Sequence, residues 1–547
     1  MRRIILLAFA CSVAAPAQSL APGQQTAVDA VFAQYAKPGS PGCALGVYRD
    51  GAIAYSKGYG LASLENQVPI SANTVFDIGS TSKQFTAFSI LLLEQQGKLS
   101  LDDDVRKYIP ELPDYGKTIT LRHLLTHTSG LRDYAVLFDL AGVPEQDLTA
   151  DQDAVDLIVR QRRLNFMPGD EWDYSNSGFF LLSQVVKRVS GKSIRDFAQE
   201  NIFKPLGMIH TEIFDWHGLV IPGRATGYNY DDDRKTFAVE MSNFEQAGDG
   251  SVQTSVEDLL LWDENFYSAK VGGPELLFKM QTIGTLNNGQ KHGYALGLFL
   301  ATYHGQPTVN HGGAWAGYRA ELLRFPRQHT SFAVLCNVAQ ANPSQYADSV
   351  ADVVLASALR SNNESAGGAT KQVQVADSIL RAHAGWYRNP AGQYRHITFK
   401  DGKLFASRTQ ALVADSENDF HFGIAKLSFD GDKMSMRFAD TPAVTYTRVQ
   451  EQPIRDLARF AGRYYSDELQ NTWDFVVKDG ELRVAARNVF DKPESLLPVG
   501  LDTFTLRGGE VRFVGEPGKP MHAIVTVARI RGLDFVRRDE AARGDSR

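Results

Sequence analysis

Cysteine is scarce, with three in 547 residues, and one of them, Cys11, lies inside an N-terminal apolar run. That run, Ile4 to Ala15, follows Met1-Arg2-Arg3 and ends at Ala15-Pro16-Ala17. It is too short to span a bilayer and reads as an export leader over residues 1–17, cleaved before Gln18, so the mature protein is expected in the periplasm or outside the cell. Cys11 lacks the Leu-led small-residue setting of a lipoprotein site, so no lipid anchor is expected. No other run approaches the ~20 apolar residues of a membrane helix, which argues against stable membrane insertion. An excess of one charge is missing too: 57 Lys and Arg face 63 Asp and Glu, a net charge of −6. Nothing there suggests a nucleic acid or an anionic membrane as partner. Gly-x-Ser-x-Gly does not occur, so an α/β-hydrolase nucleophile elbow lacks its signature.

What is present is a single Ser-x-x-Lys, Ser80-Thr81-Ser82-Lys83, at the head of the apolar stretch Gln84 to Leu93. The stretch predicts a buried helix that stops near Gly97. Residues three apart share a helix face, so Lys83 can sit beside the Ser80 oxygen, and the helix N-terminus favours developing negative charge. Alone, the pattern also suits a capping serine and a solvated lysine. Two further elements agree with the chemical reading. Tyr174-Ser175-Asn176 follows the Pro168-Gly169 turn and precedes an apolar segment, a position suited to a tyrosine projecting into a cleft. His311-Gly312-Gly313 follows the β-prone Thr308-Val309-Asn310, and its glycines leave room for a substrate backbone at a strand edge. A second Tyr-x-Asn, Tyr387-Arg388-Asn389, reads as a turn at a barrel edge.

In this order and context, Phe76 to Ala87, Tyr174-Ser175-Asn176 and His311-Gly312-Gly313 resemble the penicillin-recognising serine hydrolases, in the class C β-lactamase-like branch. That branch holds β-lactamases, D-alanyl-D-alanine carboxypeptidases, D-aminopeptidases and esterases. Leu124 to Leu131 and Pro41 to Val47 match the same family, and the resemblance covers roughly residues 25 to 355. It implies Ser80 as nucleophile, Lys83 and Tyr174 as the proton-transfer pair, and Asn176, His311, Gly312 and Gly313 as substrate-binding positions. The oxyanion donors would be the N–H groups of Ser80 and Ala314. Whether Lys83 works as a neutral amine or as a cation that activates the Tyr174 phenolate stays open at this level. The family usually carries Lys where this chain has His311. Imidazole is mostly neutral near pH 7, so carboxylate-directed binding should be weaker, which suits a D-aminopeptidase or esterase better than a β-lactamase or carboxypeptidase.

The chemistry implied needs no cofactor and no metal. His123 and His127 have helical ligand spacing, but no Glu follows His123, and both are expected to pack at a helix end. Cys43 and Cys336 lie in β-prone runs that the family's fold makes neighbours. A disulfide is conceivable there, but two buried thiols are the expectation. Arg543-Gly544-Asp545 is taken as chance.

The expected fold is multidomain. An α/β (α+β) β-lactamase-like domain spans residues 20–360, with an antiparallel sheet built from both ends, flanking helices and a mainly helical insertion. A polar linker follows at 361–376. Beyond it the chain repeats: Gly385-Trp386-Tyr387 leads to Asp401-Gly402, and Gly462-Arg463-Tyr464 to Asp479-Gly480. Asp-Gly pairs between alternating segments predict hairpins and two small antiparallel β-barrels, at 377–450 and 453–540. D-aminopeptidases of the family carry two such lipocalin-like barrels. Two roles are open for the barrels: stability or spacing alone, or a loop of the second, near Glu516-Pro517-Gly518-Lys519, that reaches the cleft and trims substrate size, where an acidic group could recognise a free amine. The function expected is hydrolysis of a small peptide, amide or ester through an acyl-serine, D-aminopeptidase-like. Esterase or β-lactamase activity is the alternative within this chemistry, and a catalytically silent binder of cell-wall peptide the alternative outside it. Oligomeric state is left open.

Overall fold

The structure is a computed structural model that describes residues 19–363, 373–406, 411–422, 425–438, 443–450, 454 and 456–538. The leader at 1–17, the middle of the linker at 361–376 and Arg543-Gly544-Asp545 lie outside the described residues.

The expected fold class holds. A six-stranded antiparallel sheet runs in the order Phe299–Tyr303, Gln306–Trp315, Tyr318–Phe325, Thr330–Cys336, Cys43–Arg49, Ala52–Tyr59. The two ends of the domain thus meet at its centre, where Cys43–Arg49 pairs with Thr330–Cys336. Alternation along Cys43–Arg49 divides the interior. Cys43, Leu45 and Val47 face a core shared with the Pro22–Val31 and Pro343–Val354 helices, while Ala44 and Tyr48 face the larger core. With both faces covered, the strand reads as a continuous apolar run.

The larger core centres on the Lys83–Gln95 helix, in which every residue from Lys83 to Leu93 is buried. It ends two residues before Gly97, whose φ of +69° turns the chain away, as the sequence predicts. Burying a helix on all sides requires partners all round, and the insertion supplies them: Asn176–Ser190, Ile194–Ala198 and Gly273–Met280 pack against it.

Cys43 and Cys336 correct the expectation of two thiols, because they form a disulfide. They are direct partners in the ladder although 293 residues apart in sequence. Only that register brings the two sulfurs together.

Beyond the linker, Gly385–Arg388 to Val444–Val449 form an eight-stranded antiparallel sheet around Tyr387, Ile397, Leu427 and Met434. A second eight-stranded unit closes completely, with Gly462–Ser466 pairing with Ile530–Arg538. The Asp401-Gly402 and Asp479-Gly480 pairs occupy two-residue hairpin loops, bracketed by Lys400↔Lys403 and Lys478↔Glu481. All four of these residues have positive φ, as a type I′ turn requires. The repeat extends to detail: the Tyr387 hydroxyl donates to the His383 carbonyl at 2.9 Å and that of Tyr464 to the Phe460 carbonyl at 3.0 Å.

The second barrel is fused to the catalytic domain, and their apolar residues form one continuous core. A buried ion pair reinforces the junction. Arg132, with a side chain 0% exposed, donates to Glu468 Oε1 at 2.9 Å and to the carbonyls of Arg531 and Gly532 at 2.8 and 3.0 Å. The first barrel reaches the second through Arg388, whose Nε donates to Glu510 Oε2 at 2.6 Å.

Candidate functional site

Ser80 lies in a 3₁₀ turn, Gly79–Ser82, that leads directly into the Lys83–Gln95 helix. The turn lies hard against the Gln306–Trp315 strand, and two glycines allow this. A Cβ on Gly79, which also has φ +49°, would sit 2.7 Å from the Ala314 nitrogen. One on Gly313 would sit 1.8 Å from the Ile78 carbonyl oxygen and 3.1 Å from the Ser80 nitrogen. Thr81 fastens the two segments, its hydroxyl donating to the His311 carbonyl at 3.0 Å. The outer strand Phe299–Tyr303 pairs no further than Phe299↔Asn310, whereas the inner partner pairs as far as Trp315↔Tyr318. From His311 to Trp315 the strand therefore has a sheet partner on one side only, the arrangement in which an extended ligand can add to an edge.

Lys83 is wholly buried, and its Nζ donates to Ser80 Oγ at 3.0 Å, Asn176 Oδ1 at 2.9 Å and the Asp249 carbonyl at 2.5 Å. All three ammonium donors are matched, yet burial dominates and pushes its pKa down to about 7; the carboxylates of Asp249 and Asp133 oppose this, and Arg529 adds to it. Tyr174 sits in the loop before the Asn176–Ser190 helix. Lys83 Nζ is 4.9 Å from its ring centroid. Its hydroxyl is buried without a hydrogen bond of good geometry, and its stabilising neighbour is the Ser80 side chain. Burial holds the phenol well above its usual pKa, with Ser80 and Arg529 pulling the other way. Near neutrality the pair thus consists of an amine that titrates and a phenol that keeps its proton.

His311 is buried, and both ring nitrogens are committed: Nδ1–H donates to the Gly312 carbonyl at 2.6 Å, and Nε2 accepts from the Tyr294 hydroxyl at 3.0 Å. Burial, with Lys83 adding to it, drops its pKa to about 3, so it presents no positive charge. Ser80, Tyr174, Asn176, His311, Gly312, Gly313 and Ala314 all line one cavity of about 740 Å³, and Lys83 lies beneath it. A recess of about 40 Å³ adjoins it, sharing Ser80, Asn176, Ala314 and Trp315 with the cavity and lined beyond these by Tyr134, Gln246 and Asp249 among others.

Four further residues act on this site, and of these only His127 lies in a stretch that the sequence singled out, Leu124 to Leu131. His127 stacks on Tyr174 with centroids 4.2 Å apart, and its Nδ1 accepts the Ser175 N–H at 3.2 Å. Burial keeps it neutral. It does lie just past the end of the Leu121–Leu125 helix, while His123 caps the start of that helix through Nδ1 and the Thr120 N–H. Asp249 lies in the recess, accepts from the Tyr134 hydroxyl at 3.1 Å, and has its pKa raised to about 6 by burial. Asp133 is fully buried, caps the Tyr134–Ala141 helix and accepts the Asn176 N–H at 2.7 Å. The fourth, Arg529, comes from the second barrel and corrects the expectation for its loop. The residues that line the cavity are Ala528 and Arg529, in the turn between the last two strands, not Glu516 to Lys519. Glu516 and Lys519 pair with each other in the solvent. The barrel thus brings a guanidinium where a carboxylate was expected.

The comparisons agree with this architecture. Penicillin-binding protein 4* of Bacillus subtilis is 32% identical over 302 residues, 52% of this chain and 66% of that protein. A D-aminopeptidase of Gluconobacter oxydans is 28% identical over 456 residues, covering 81% of this chain and 82% of the relative, so the likeness runs into the barrels. Among solved structures, the octameric penicillin-binding protein homologue of Pyrococcus abyssi superposes with a TM-score of 0.55 at 20% identity, over 94% of this chain and 99% of the other. The Beta-lactamase family model matches residues 28–357, the whole sheet and its helical insertion, and the chain belongs to that family.

Proposed function

We propose that the protein is an exported serine hydrolase that releases small N-terminal residues from peptides or amides, as a D-aminopeptidase does, through an ester formed on Ser80. The observation that carries this reading is the buried Lys83 amine 3.0 Å from Ser80 Oγ with its pKa near 7. An amine neutral at working pH can take the serine proton as the oxygen attacks the substrate carbonyl. The N–H groups of Ser80 and Ala314 would hold the oxyanion, a donor pair of the kind worth about 2.7–4 kcal/mol for each member. The Tyr174 phenol gives its proton to the departing nitrogen and recovers one from the Lys83 ammonium. Water then cleaves the ester by the reverse transfers.

Tyr174 must face the leaving group, so the cavity it shares with His311 is the leaving-group side and the recess with Asp249 is the acyl side. A recess of about 40 Å³ suits a small side chain, and the Asp249 carboxylate suits a free ammonium. This favours an aminopeptidase over an esterase, and the D-aminopeptidase of Gluconobacter oxydans supports the D-configuration. Residues 1–17 act as a cleaved leader in this reading, and the Cys43–Cys336 disulfide fits an oxidising compartment.

The test is turnover of D-alanine anilide against N-acetyl-D-alanine anilide by the wild type and Asp249→Asn. The wild type should prefer the free amine at least tenfold, and the variant should lose that preference. Equal turnover of both by the wild type, or efficient turnover of a chromogenic cephalosporin or short acyl esters alone, would refute the aminopeptidase reading.

A further inference from the structure

His311 leaves the leaving-group side without the cation that the family's usual lysine would place there, since both its ring nitrogens are committed and it is neutral. Arg529 lies on that side. It lines the cavity with Tyr174 and His311, its guanidinium carbon is 5.5 Å from the Tyr174 ring centroid, and its side chain is 32% exposed.

The turn that carries it is pinned to the catalytic domain from both sides. Asn165 Nδ2 donates to the Arg529 carbonyl at 2.8 Å, and the Arg531 N–H donates to Asn165 Oδ1 at 2.8 Å. Arg531 Nη1 pairs with Glu171 at 3.0 Å, and Arg132 holds the carbonyls of Arg531 and Gly532. A guanidinium on such a clamped turn is pre-organised, so little entropy is lost when it takes a ligand. Its one carboxylate neighbour within 4 Å among the described residues is Asp133, at 3.4 Å from Nη1. That carboxylate is already engaged by the N–H groups of Ala135, Val136 and Asn176. The other cation lining the cavity, Arg319, is differently placed: it donates to the carbonyls of Ala316 and Tyr318 and faces Glu240 and Glu145.

We propose that Arg529 binds a carboxylate on the leaving group, so that the second barrel supplies the charge His311 does not, and that the preferred substrates end in a free carboxylate just beyond the scissile bond, as short peptides do. The inference rests on the hydrolase reading for which side of Ser80 holds the leaving group. It makes the barrel part of the substrate site, and it separates peptides from the amides and anilides that share their acyl half.

The experiment compares D-alanylglycine with D-alanylglycinamide in the wild type, Arg529→Gln and Arg529→Lys, reading kcat/KM for each. A charge-assisted bidentate contact is worth about tenfold or more. The wild type should favour the acid by at least that factor, Arg529→Gln should show no preference, and Arg529→Lys should keep part of it, with the difference residing in KM. Arg529 also lowers the pKa of Lys83 and Tyr174, but that effect falls on both peptides alike and cancels in the ratio. A ratio unchanged by Arg529→Gln would overturn the inference. Should neither peptide be cleaved, the aminopeptidase reading fails separately, and calorimetry with Ser80→Ala then decides. Tighter binding of the acid that vanishes in Ser80→Ala/Arg529→Gln upholds the role of Arg529, and equal binding of acid and amide overturns it.

Discussion

Replacing Lys83 with methionine tests the buried amine without knowledge of any substrate. In the unfolded chain a lysine titrates near 10.4, whereas in the fold Lys83 titrates near 7. Between those values the unfolded state holds a proton that the folded state has released, so folding stability rises with pH by up to about 1.4 kcal/mol per unit. That contribution is complete above the unfolded value and is lost as the pH falls through the folded one. From pH ~7.5 to ~9 the wild type should gain about 2 kcal/mol relative to Lys83→Met, in which no proton is exchanged at this position. Burial raises the pKa of Asp249 while the Lys83 charge holds it down, so both proteins carry Asp249→Asn in this comparison, which keeps a titrating carboxylate at that position out of the slope. Urea unfolding of both proteins across this range gives the difference directly, with the catalytic-domain transition followed by tryptophan fluorescence. At neutral pH the variant also loses the contacts to Ser80, Asn176 and the Asp249 carbonyl, which shifts the absolute gap but not its slope. A stability difference that is flat from pH ~7.5 to ~9 would refute the claim that burial has discharged this amine.

Gly313→Ala would place a Cβ 1.8 Å from the Ile78 carbonyl oxygen and force the strand away from Ser80. The expected loss is about 10²–10³ in kcat, the cost of a misplaced oxyanion donor, together with a clear fall in Tm, because the atoms it meets are backbone and cannot swing aside. Arg132→Met would leave the Glu468 carboxylate buried without its partner, and a cost of about 3–5 kcal/mol should appear as a lower Tm and easier proteolytic release of the second barrel. A chain beginning at Gln18, denatured without reductant, should show no titratable thiol, because Cys43 and Cys336 are its two cysteines and are bonded to each other. Two thiols would contradict that bond.

How legible the site was in the sequence depended on how local its determinants are. Ser80 and Lys83 meet because three residues make nearly one helical turn, and the glycines before and after the strand's close approach are visible as glycines. Tyr174, Asn176 and Ala314 could be named because each travels with such a local signature. Asp249 and Arg529 have none: Asp249 matters because Gly248 and Gly250 lead a loop past Lys83, and Arg529 because a barrel more than 350 residues downstream docks through Arg132 and Asn165. The disulfide failed for the same reason, since a strand's composition predicts burial but not which residue it faces. His127 was placed near a helix end, but nothing in a His-Thr-Ser run says that the ring will lie under a tyrosine 47 residues later. The barrels were legible through turn chemistry, since Asp-Gly between alternating segments permits little other than a type I′ hairpin.

The central claim is that an amine neutral near pH 7 makes Ser80 reactive, and the rate of covalent labelling by a fluorophosphonate as a function of pH measures it most directly. The account predicts a single adduct on the peptide containing Ser80, formed at a rate that rises about tenfold per pH unit below 7 and levels off above it, with almost no labelling in Lys83→Met. A rate that is independent of pH across 7, or an adduct on any other residue, would contradict it.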